Sequence, residues 1–183
     1  MMPALKVDKR KWLKLGIEYF STLGKQGINV EQMAKKLDCN KSSFYHHFQS
    51  KKNFLNEMIQ YWYNESMEPI ITEVDGIREP RLRFERFLIL GFKDKSRKDL
   101  MFFLRKEAET NTKLNRLLKE LKKTRVEYGA LLIQKLGYSR EVAIQKAEIL
   151  YLFYLGWYEI NKTSKKGEDI KDAIKLIKTF IEF

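Results

Sequence analysis

The sequence predicts an all-α protein, and three observations support that prediction. Only three prolines and nine glycines interrupt the 183 residues. No stretch alternates apolar and polar residues for long enough to indicate a β-strand. Apolar residues instead recur three and four positions apart along most of the chain, which places them on one face of a helix. We therefore expect about nine helices in two parts, residues 1–66 and residues 67–183.

The first helix is predicted near Lys9–Leu23. Leu13, Ile17 and Phe20 are spaced so that they share one face of that helix. Gly24 follows the last of these apolar positions and is expected to end the helix.

Residues 29–48 have the pattern of a helix-turn-helix, in which a tight turn joins two short helices. Asn29 is suited to cap the first of these helices and Asn40 the second. Phe44 and Phe48 lie four residues apart in the second helix, so both are expected to face inward. Its outer face is left with small polar and basic side chains, the types that contact phosphates and base edges.

The predicted DNA contacts comprise these outer residues and one cation in the first turn of the next helix: Lys41, Ser42, Ser43, Tyr45, His46 and Lys51. A helix N-terminus offers free N–H groups, so a lysine there can help to hold a phosphate. His46 and His47 are adjacent and point in different directions on a helix, so they are not expected to share a metal.

A family resemblance is carried by the following residues: Phe20, Gly24, Gly27, Met33, Ala34, Leu37, Cys39, Asn40, Phe44, Tyr45, His47, Phe48, Lys51 and Phe54. With the run SFYHHFQSKKNF, they make residues 12–54 similar to the DNA-binding domain of the tetracycline-repressor (TetR) family of bacterial transcriptional regulators. Two positions depart from the family pattern. Lys52 stands where an acid is usual, and Cys39 where a small aliphatic residue is usual.

The resemblance implies a homodimeric transcriptional repressor that binds a palindromic operator in double-stranded DNA. It also implies that the Tyr45 hydroxyl reaches a phosphate and that the last two helices form a four-helix bundle with a second subunit. A small-molecule effector bound in residues 67–183 would then favour a state in which the DNA-binding domains of the two subunits no longer match the spacing of the operator half-sites.

A longer helix from Ser50 to about Met67 is expected to link the two parts. Pro69 follows it, and residues 69–80 have the composition of a loop. Apolar periodicity then predicts five further helices, at residues 80–94, 97–108, 112–136, 140–163 and 168–182.

Two of these helices are predicted to form a dimer interface. The helix at 140–163 is apolar on more than one face, which requires burial on several sides. The last helix carries a stripe of isoleucines on one face. We infer that both pack on their own core and on a second subunit, through Tyr154, Ile170, Ile174, Ile177 and Ile181.

Aromatic and methionine side chains are candidates for lining a ligand pocket between the long helices. They are Trp62, Phe84, Phe87, Met101, Phe102, Tyr128, Tyr151 and Trp157. For each of them, packing in an ordinary core is the alternative. Because charged residues are expected mainly on outer faces, the predicted effector is apolar or aromatic.

The composition excludes several other classes of protein. One cysteine and two histidines leave no internal disulfide, no metal site and no catalytic group, so neither an enzyme nor a cofactor is expected. There is no signal peptide and no run of apolar residues long enough for a membrane span, so the chain is expected in the cytoplasm. Cys39 is expected to pack as a small hydrophobe.

The formal net charge of +12 favours a polyanionic partner, although a lysine-rich proteome gives the same balance. The basic stretch 97–125 also contains acids and is interpreted as a solvated helix face. Two alternatives to a ligand-responsive repressor stay open. One is a DNA-binding regulator without an inducer, such as a nucleoid or division factor; the other is a helical adaptor that does not bind DNA.

Overall fold

The computed structural model describes residues 7–93, 99–162 and 168–183, and within them it contains α-helices and no β-strand. The all-α prediction is confirmed. A 3₁₀ turn at Gly24–Gly27 follows the first helix. The nine α-helices among the described residues are α1 (Lys9–Leu23), α2 (Val30–Lys36), α3 (Lys41–Phe48), α4 (Lys51–Asp75), α5 (Pro80–Lys93), α6 (Leu100–Ala108), α7 (Thr112–Lys135), α8 (Arg140–Asn161) and α9 (Glu168–Ile177).

The chain divides into two compact units. The first comprises Met1–Glu65 and Ser96–Leu114, and the second comprises Ser66–Lys95 and Asn115–Phe183. The first unit therefore contains α6, a placement that the sequence did not indicate. Helices α4 and α7 each begin in the first unit and end in the second.

The core of the first unit is a cluster of aromatic side chains, which we call the aromatic core: Trp12, Phe44, Phe48 and Phe54. All four are at most 1% exposed. The Phe44 ring centroid lies 5.4 Å from that of Trp12 and 5.0 Å from that of Phe54, and the Phe48 and Phe54 centroids are 4.8 Å apart. These edge-on and tilted contacts are the favoured geometries for aromatic pairs. They join α1, α3 and α4.

Helix α6 packs against α1 within the same unit. The Phe103 and Phe20 ring centroids are 6.1 Å apart, and the Asp99 N–H donates to the Ser21 carbonyl at 3.2 Å. Leu104 is buried on the same side of α6. The contact explains why α6 belongs to the first unit although it follows α5 in the chain.

Helix α4 continues through Pro69 to Asp75, so the prediction that it stops near Met67 was wrong. A proline inside a helix removes one hydrogen bond and costs about 3 kcal/mol. Met67 and Val74 are nevertheless buried, and Ile70 packs against the core of the second unit. Burying a side chain of this size contributes roughly 1.5–3 kcal/mol. Packing on both sides of the proline therefore outweighs its cost.

Hydrogen bonds within the second unit secure the C-terminal end of α4. The Arg83 guanidinium donates to the carbonyl oxygens of Val74 at 3.1 Å and Asp75 at 2.5 Å. The Tyr128 hydroxyl of α7 donates to the Asp75 carboxylate at 2.8 Å. Burial first, and then this hydrogen bond, raises the pKa of Tyr128 well above its ordinary value, so the hydroxyl stays a donor. The two bonds from Arg83 satisfy backbone carbonyls that a helix end leaves without partners.

The core of the second unit is built from α5, α7, α8 and α9, with Val74 from the end of α4. Helix α9 ends at Ile177 and not at residue 182 as predicted. The chain then tightens into turns, in which the Phe180 and Ile181 N–H groups both donate to the Ile177 carbonyl. Ile181 is thereby folded back into the core with Ile177.

The close approach of α1 to α4 gives a test of this packing. A methyl group on Gly16 would lie 2.3 Å from the Phe54 ring, which is itself fully buried. We expect Gly16→Ala to lower the free energy of unfolding by about 1–3 kcal/mol, because the aromatic core must shift. Chemical denaturation measures this.

Gly91→Ala in α5 is the matched control, since nothing lies within 4 Å of the added methyl group there. It should be neutral or stabilising by up to about 1 kcal/mol, because alanine favours a helix. Equal losses in the two variants would contradict the packing described for Gly16.

Candidate nucleic-acid interface

The turn between α2 and α3 is a Schellman motif. The Cys39 N–H donates to the Ala34 carbonyl at 3.0 Å, and the Asp38 N–H donates to the Lys35 carbonyl at 3.2 Å. Asp38 has a positive φ of 51°, a left-handed conformation that aspartate tolerates better than most residues. The motif ends α2 and redirects the chain so that α3 begins two residues after Cys39.

The two predicted caps behave differently. The Asn29 side chain accepts hydrogen bonds from the N–H groups of Glu31 at 3.0 Å and Gln32 at 3.2 Å, so it caps α2 as expected. Asn40 precedes α3 but its side chain makes no capping hydrogen bond. Its backbone carbonyl instead accepts from the Ser43 N–H at 3.0 Å.

Helix α3 has one buried face and one exposed face. Phe44 and Phe48 point into the aromatic core, as the sequence indicated. The exposed residues, which we call the outer face of α3, are Lys41, Ser42, Tyr45 and His46. Tyr45 is 47% exposed although its ring contacts that of Phe44 at 5.3 Å between centroids. Its hydroxyl end is thus available while its ring is supported.

Ser43 and His47 do not belong to this face. The Ser43 hydroxyl oxygen is buried and has no hydrogen-bond partner among the described residues. The prediction that Ser43 contacts DNA is therefore corrected: it lies one position past Ser42, on the side that turns toward the core. His47 is half-buried, with its Nε2 atom 2.8 Å from the Val7 carbonyl oxygen.

Two lysines lie on or next to the outer face of α3. Lys41 forms an ion pair with Glu31 of α2, and Lys51 is exposed at the first position of α4. The hydrogen bond and charge of Lys41, followed by the charge of Lys51, lower the pKa of Glu31 below its ordinary value. The Ser50 hydroxyl accepts from the Asn53 N–H at 3.1 Å and caps α4 beside Lys51.

Cys39 is half-buried in the turn between α2 and α3. Burial, and secondarily the Asp38 carboxylate, raises the pKa of its thiol above the ordinary value. The thiolate is the reactive form of cysteine, so this setting disfavours redox chemistry.

The eight residues predicted to line a ligand pocket are divided between the two units. Trp62, Met101 and Phe102 lie in the first unit, and Phe102 is 54% exposed on α6. The other five lie in the second unit: Phe84, Phe87, Tyr128, Tyr151 and Trp157. Phe84 and Trp157 are buried and the other three are half-buried. Of the eight predicted residues, only these five can line a pocket in the second unit.

A cavity of about 530 Å³ lies elsewhere in the second unit. Its lining is largely polar and includes none of the eight predicted residues. The lining residues are Glu79, Pro80, Arg81, Lys135, Leu136, Gly137, Tyr138, Glu182 and Phe183.

The predicted dimer interface needs correction. Ile177 and Ile181 are fully buried in the core of their own unit, so neither is available to a partner. Ile170, Ile174 and Tyr154 are half-buried against the same core. An amphipathic stripe shows that one face of a helix is buried, but not whether the same chain or a second subunit covers it.

A different set of apolar residues is exposed on α8, on the side opposite its core residues. We call it the α8 outer stripe: Val142, Ile149, Leu152, Gly156 and Ile160. Leu152 is 63% and Ile160 is 80% exposed. Their helical spacing is visible in the sequence, but the apolar residues on the remaining faces of this helix obscured it.

Two further observations concern the described residues. No group of three histidine, cysteine, aspartate or glutamate side chains lies close enough together there to hold a metal ion. None of the described helices is both long enough and apolar enough to cross a membrane.

No protein-family model matches the chain, and a comparison with curated proteins finds no similar sequence. Several solved structures are similar. A transcriptional regulator from Saccharomonospora viridis, solved in complex with choline, has a TM-score of 0.76 at 19% identity over 94% of both chains. A TetR transcriptional regulator from Legionella pneumophila has a TM-score of 0.74 at 12% identity, over 96% of this chain and 98% of that one.

The reduced form of NemR from E. coli is also similar, with a TM-score of 0.70 at 20% identity over 94% of this chain and 95% of that one. Each likeness covers both units. The chain therefore has the fold of a helical transcriptional regulator with a helix-turn-helix. More specifically, it has the fold of the TetR family.

The ion pair between Glu31 and Lys41 leads to a prediction about DNA. Replacing Glu31 with Gln removes a negative charge beside the outer face of α3 and frees Lys41 to bind a phosphate. We expect affinity for all DNA sequences to rise, and the salt dependence to steepen by about one released counterion. Titrations at several salt concentrations measure both.

Glu65→Gln, an exposed carboxylate of α4, is the control with the same change in net charge. An equal gain in both variants would show that Lys41 has no special role.

Proposed function

We propose that this chain is a sequence-specific DNA-binding transcriptional regulator of the TetR family, acting as a homodimeric repressor in the cytoplasm. A small apolar or aromatic effector releases it from a palindromic operator. The observation that carries the proposal is the outer face of α3, which is polar, exposed and held by the buried aromatic core. The similarity in fold to TetR regulators supports it.

The exposed side chains divide into two roles at the proposed interface. Lys41, Tyr45 and Lys51 bind phosphates, because two are cations and the third offers a supported hydroxyl. Ser42 and His46 contact base edges in the major groove, where short polar groups can tell base pairs apart. The α2–α3 turn presents these groups on one short helix, the arrangement that a recognition helix requires.

Dimerisation is proposed to use the α8 outer stripe. Leu152 and Ile160 expose large aliphatic side chains to solvent in a single subunit, and such side chains on one stripe favour association. Between them Gly156 has nothing within 4 Å of the position that a side chain would occupy, so a partner helix can approach closely. If the stripes of two copies pack on each other, the dimer has the two-fold symmetry that a palindromic operator requires.

The effector is proposed to bind in the second unit. The half-buried aromatic residues there support an apolar or aromatic molecule, and the choline in the Saccharomonospora viridis structure supports a small-molecule effector for this fold. Helix α4 connects the DNA-binding and ligand-binding parts of the chain. It begins at Lys51 and ends at Asp75, whose carboxylate accepts the hydrogen bond from Tyr128. In this proposal residues 1–66 read DNA and residues 67–183 supply the ligand-binding and dimer functions.

The DNA contacts are tested by single substitutions. Tyr45→Ala and Lys51→Ala should each weaken binding to all sequences by about 1 kcal/mol, and Lys51→Ala should also reduce the salt slope by about one. Ser42→Ala and His46→Ala should change which base is preferred, by about 1–3 kcal/mol at the contacted position. Binding titrations against operator variants separate the two effects.

Lys106→Ala, an exposed cation on α6 of the same unit, is the control and should bind as the parent does. Parental affinity in both the Tyr45 and Lys51 variants would show that α3 is not the recognition helix.

The dimer is tested by a charge in the α8 outer stripe. Leu152→Glu should weaken self-association by about 3 kcal/mol or more, a factor of roughly 100, because it buries an unpaired carboxylate. Sedimentation of the folded variant at micromolar concentration measures this.

Leu82→Glu is the control, since Leu82 of α5 is equally an exposed leucine but lies outside the stripe. The parent and this control should both be dimers. A folded parent monomer at tens of micromolar, or a dimeric Leu152 variant, would remove the stripe from the proposal.

A further inference from the structure

Arg125 holds a cation against the aromatic residues of the second unit. It lies on α7, and its guanidinium carbon is 5.7 Å from the centre of the Tyr154 ring of α8. That distance is within the range of a cation–π contact. The basic stretch that ends at this residue was interpreted from the sequence as a solvated helix face, but Arg125 is half-buried.

Aromatic side chains surround the point of contact. Phe92 of α5 packs its ring 5.3 Å from that of Tyr154 and 4.9 Å from that of Trp157, measured between centroids. Tyr158 lies one turn further along α8, 6.0 Å from Tyr154. The ring that the guanidinium contacts therefore belongs to an aromatic cluster, beside which charge interactions are stronger than in bulk water.

No carboxylate among the described residues pairs with this guanidinium. Its Nη1 atom is buried and has no hydrogen-bond acceptor among the described residues. Two other arginines of the same unit are satisfied, Arg83 by the end of α4 and Arg86 by the Glu73 carboxylate. On α7, one turn before Arg125, Lys122 has Glu148 as its ion-pair partner at 3.9 Å.

A buried, unpaired cation is costly unless an anion joins it, and a guanidinium matches the two oxygens of a carboxylate. The adjacent rings suit an aromatic body. We propose that Arg125 binds the carboxylate of an aromatic acid, with the rings of Tyr154 and its neighbours against the acid's own ring. The inference rests on the proposed function, because it assigns the charge of the effector. It also revises the expectation of an uncharged ligand.

The same arrangement disfavours a cationic ligand. A quaternary ammonium such as choline would be brought beside an uncompensated guanidinium, and like charges in a poorly solvated site repel strongly. The charge of the bound molecule is therefore the property that distinguishes this site, and probes of equal size and different charge can test it.

Three aromatic probes of similar size and different charge test the site on the full-length protein: phenylacetate, phenylacetamide and phenyltrimethylammonium. Calorimetry and melting temperature are measured at constant ionic strength, with sodium chloride alone as a fourth arm. We expect phenylacetate to raise the melting temperature and to bind at least tenfold more tightly than the amide, and the ammonium not to bind. Chloride alone should give no comparable stabilisation.

Two variants locate the effect. Arg125→Met keeps the apolar stem but removes the charge and the donors, so it should lose phenylacetate binding at least tenfold. Its melting temperature without ligand should not fall, because no carboxylate of the described ranges pairs with Arg125 in that state. Arg116→Met, which removes an exposed arginine of the same helix, should bind phenylacetate as the parent does.

The inference is overturned if none of the probes binds, if the amide or the ammonium binds as well as the acid, or if chloride gives the same stabilisation. It is also overturned if Arg125→Met keeps its phenylacetate affinity or melts well below the parent. A DNA-binding assay is run in parallel. If the parent protein binds DNA but none of the acid, only this inference is contradicted. If it binds the acid but no DNA, only the proposed function is contradicted.

Discussion

The burial of Phe44 and Phe48 against Trp12 and Phe54 determines which side chains of α3 are exposed to solvent. A helix of only eight residues has too few hydrogen bonds to be stable by itself, so its orientation depends on packing. Because one face of α3 is anchored by the rings of Phe44 and Phe48, Tyr45 and its exposed neighbours have a defined direction. Rotation of α3 by one residue would bury these polar groups and expose a phenylalanine, which the aromatic core prevents.

Features that depend on local chemistry were predictable from the sequence. Asn29 caps α2 as expected, because a cap needs only a side-chain oxygen and the next turn of backbone. The inward pair Phe44 and Phe48 followed from helical spacing alone. The fold of residues 12–54 was also indicated by family resemblance, since the run from Ser43 to Phe54 combines turn, aromatic and basic positions.

Features that depend on distant packing were not predictable. The end of α4 was misplaced because Pro69 is a local signal, whereas the burial of Val74 is a tertiary one. Ile177 was assigned to a dimer interface because periodicity identifies a buried face without identifying what covers it. Arg125 was grouped with solvated cations for the same reason. Its position against Tyr154 depends on how α7 and α8 pack, which charge patterning does not encode.

We propose that two copies of α3, one from each subunit of a symmetric dimer, bind DNA together. Selection of bound fragments from a random DNA pool by the untagged parent protein, followed by footprinting of the enriched sequence, tests it most directly. We expect two inverted half-sites whose centres are separated by about 10 base pairs or a multiple of that. Enrichment of no sequence, or of a single half-site bound by one subunit, would contradict it.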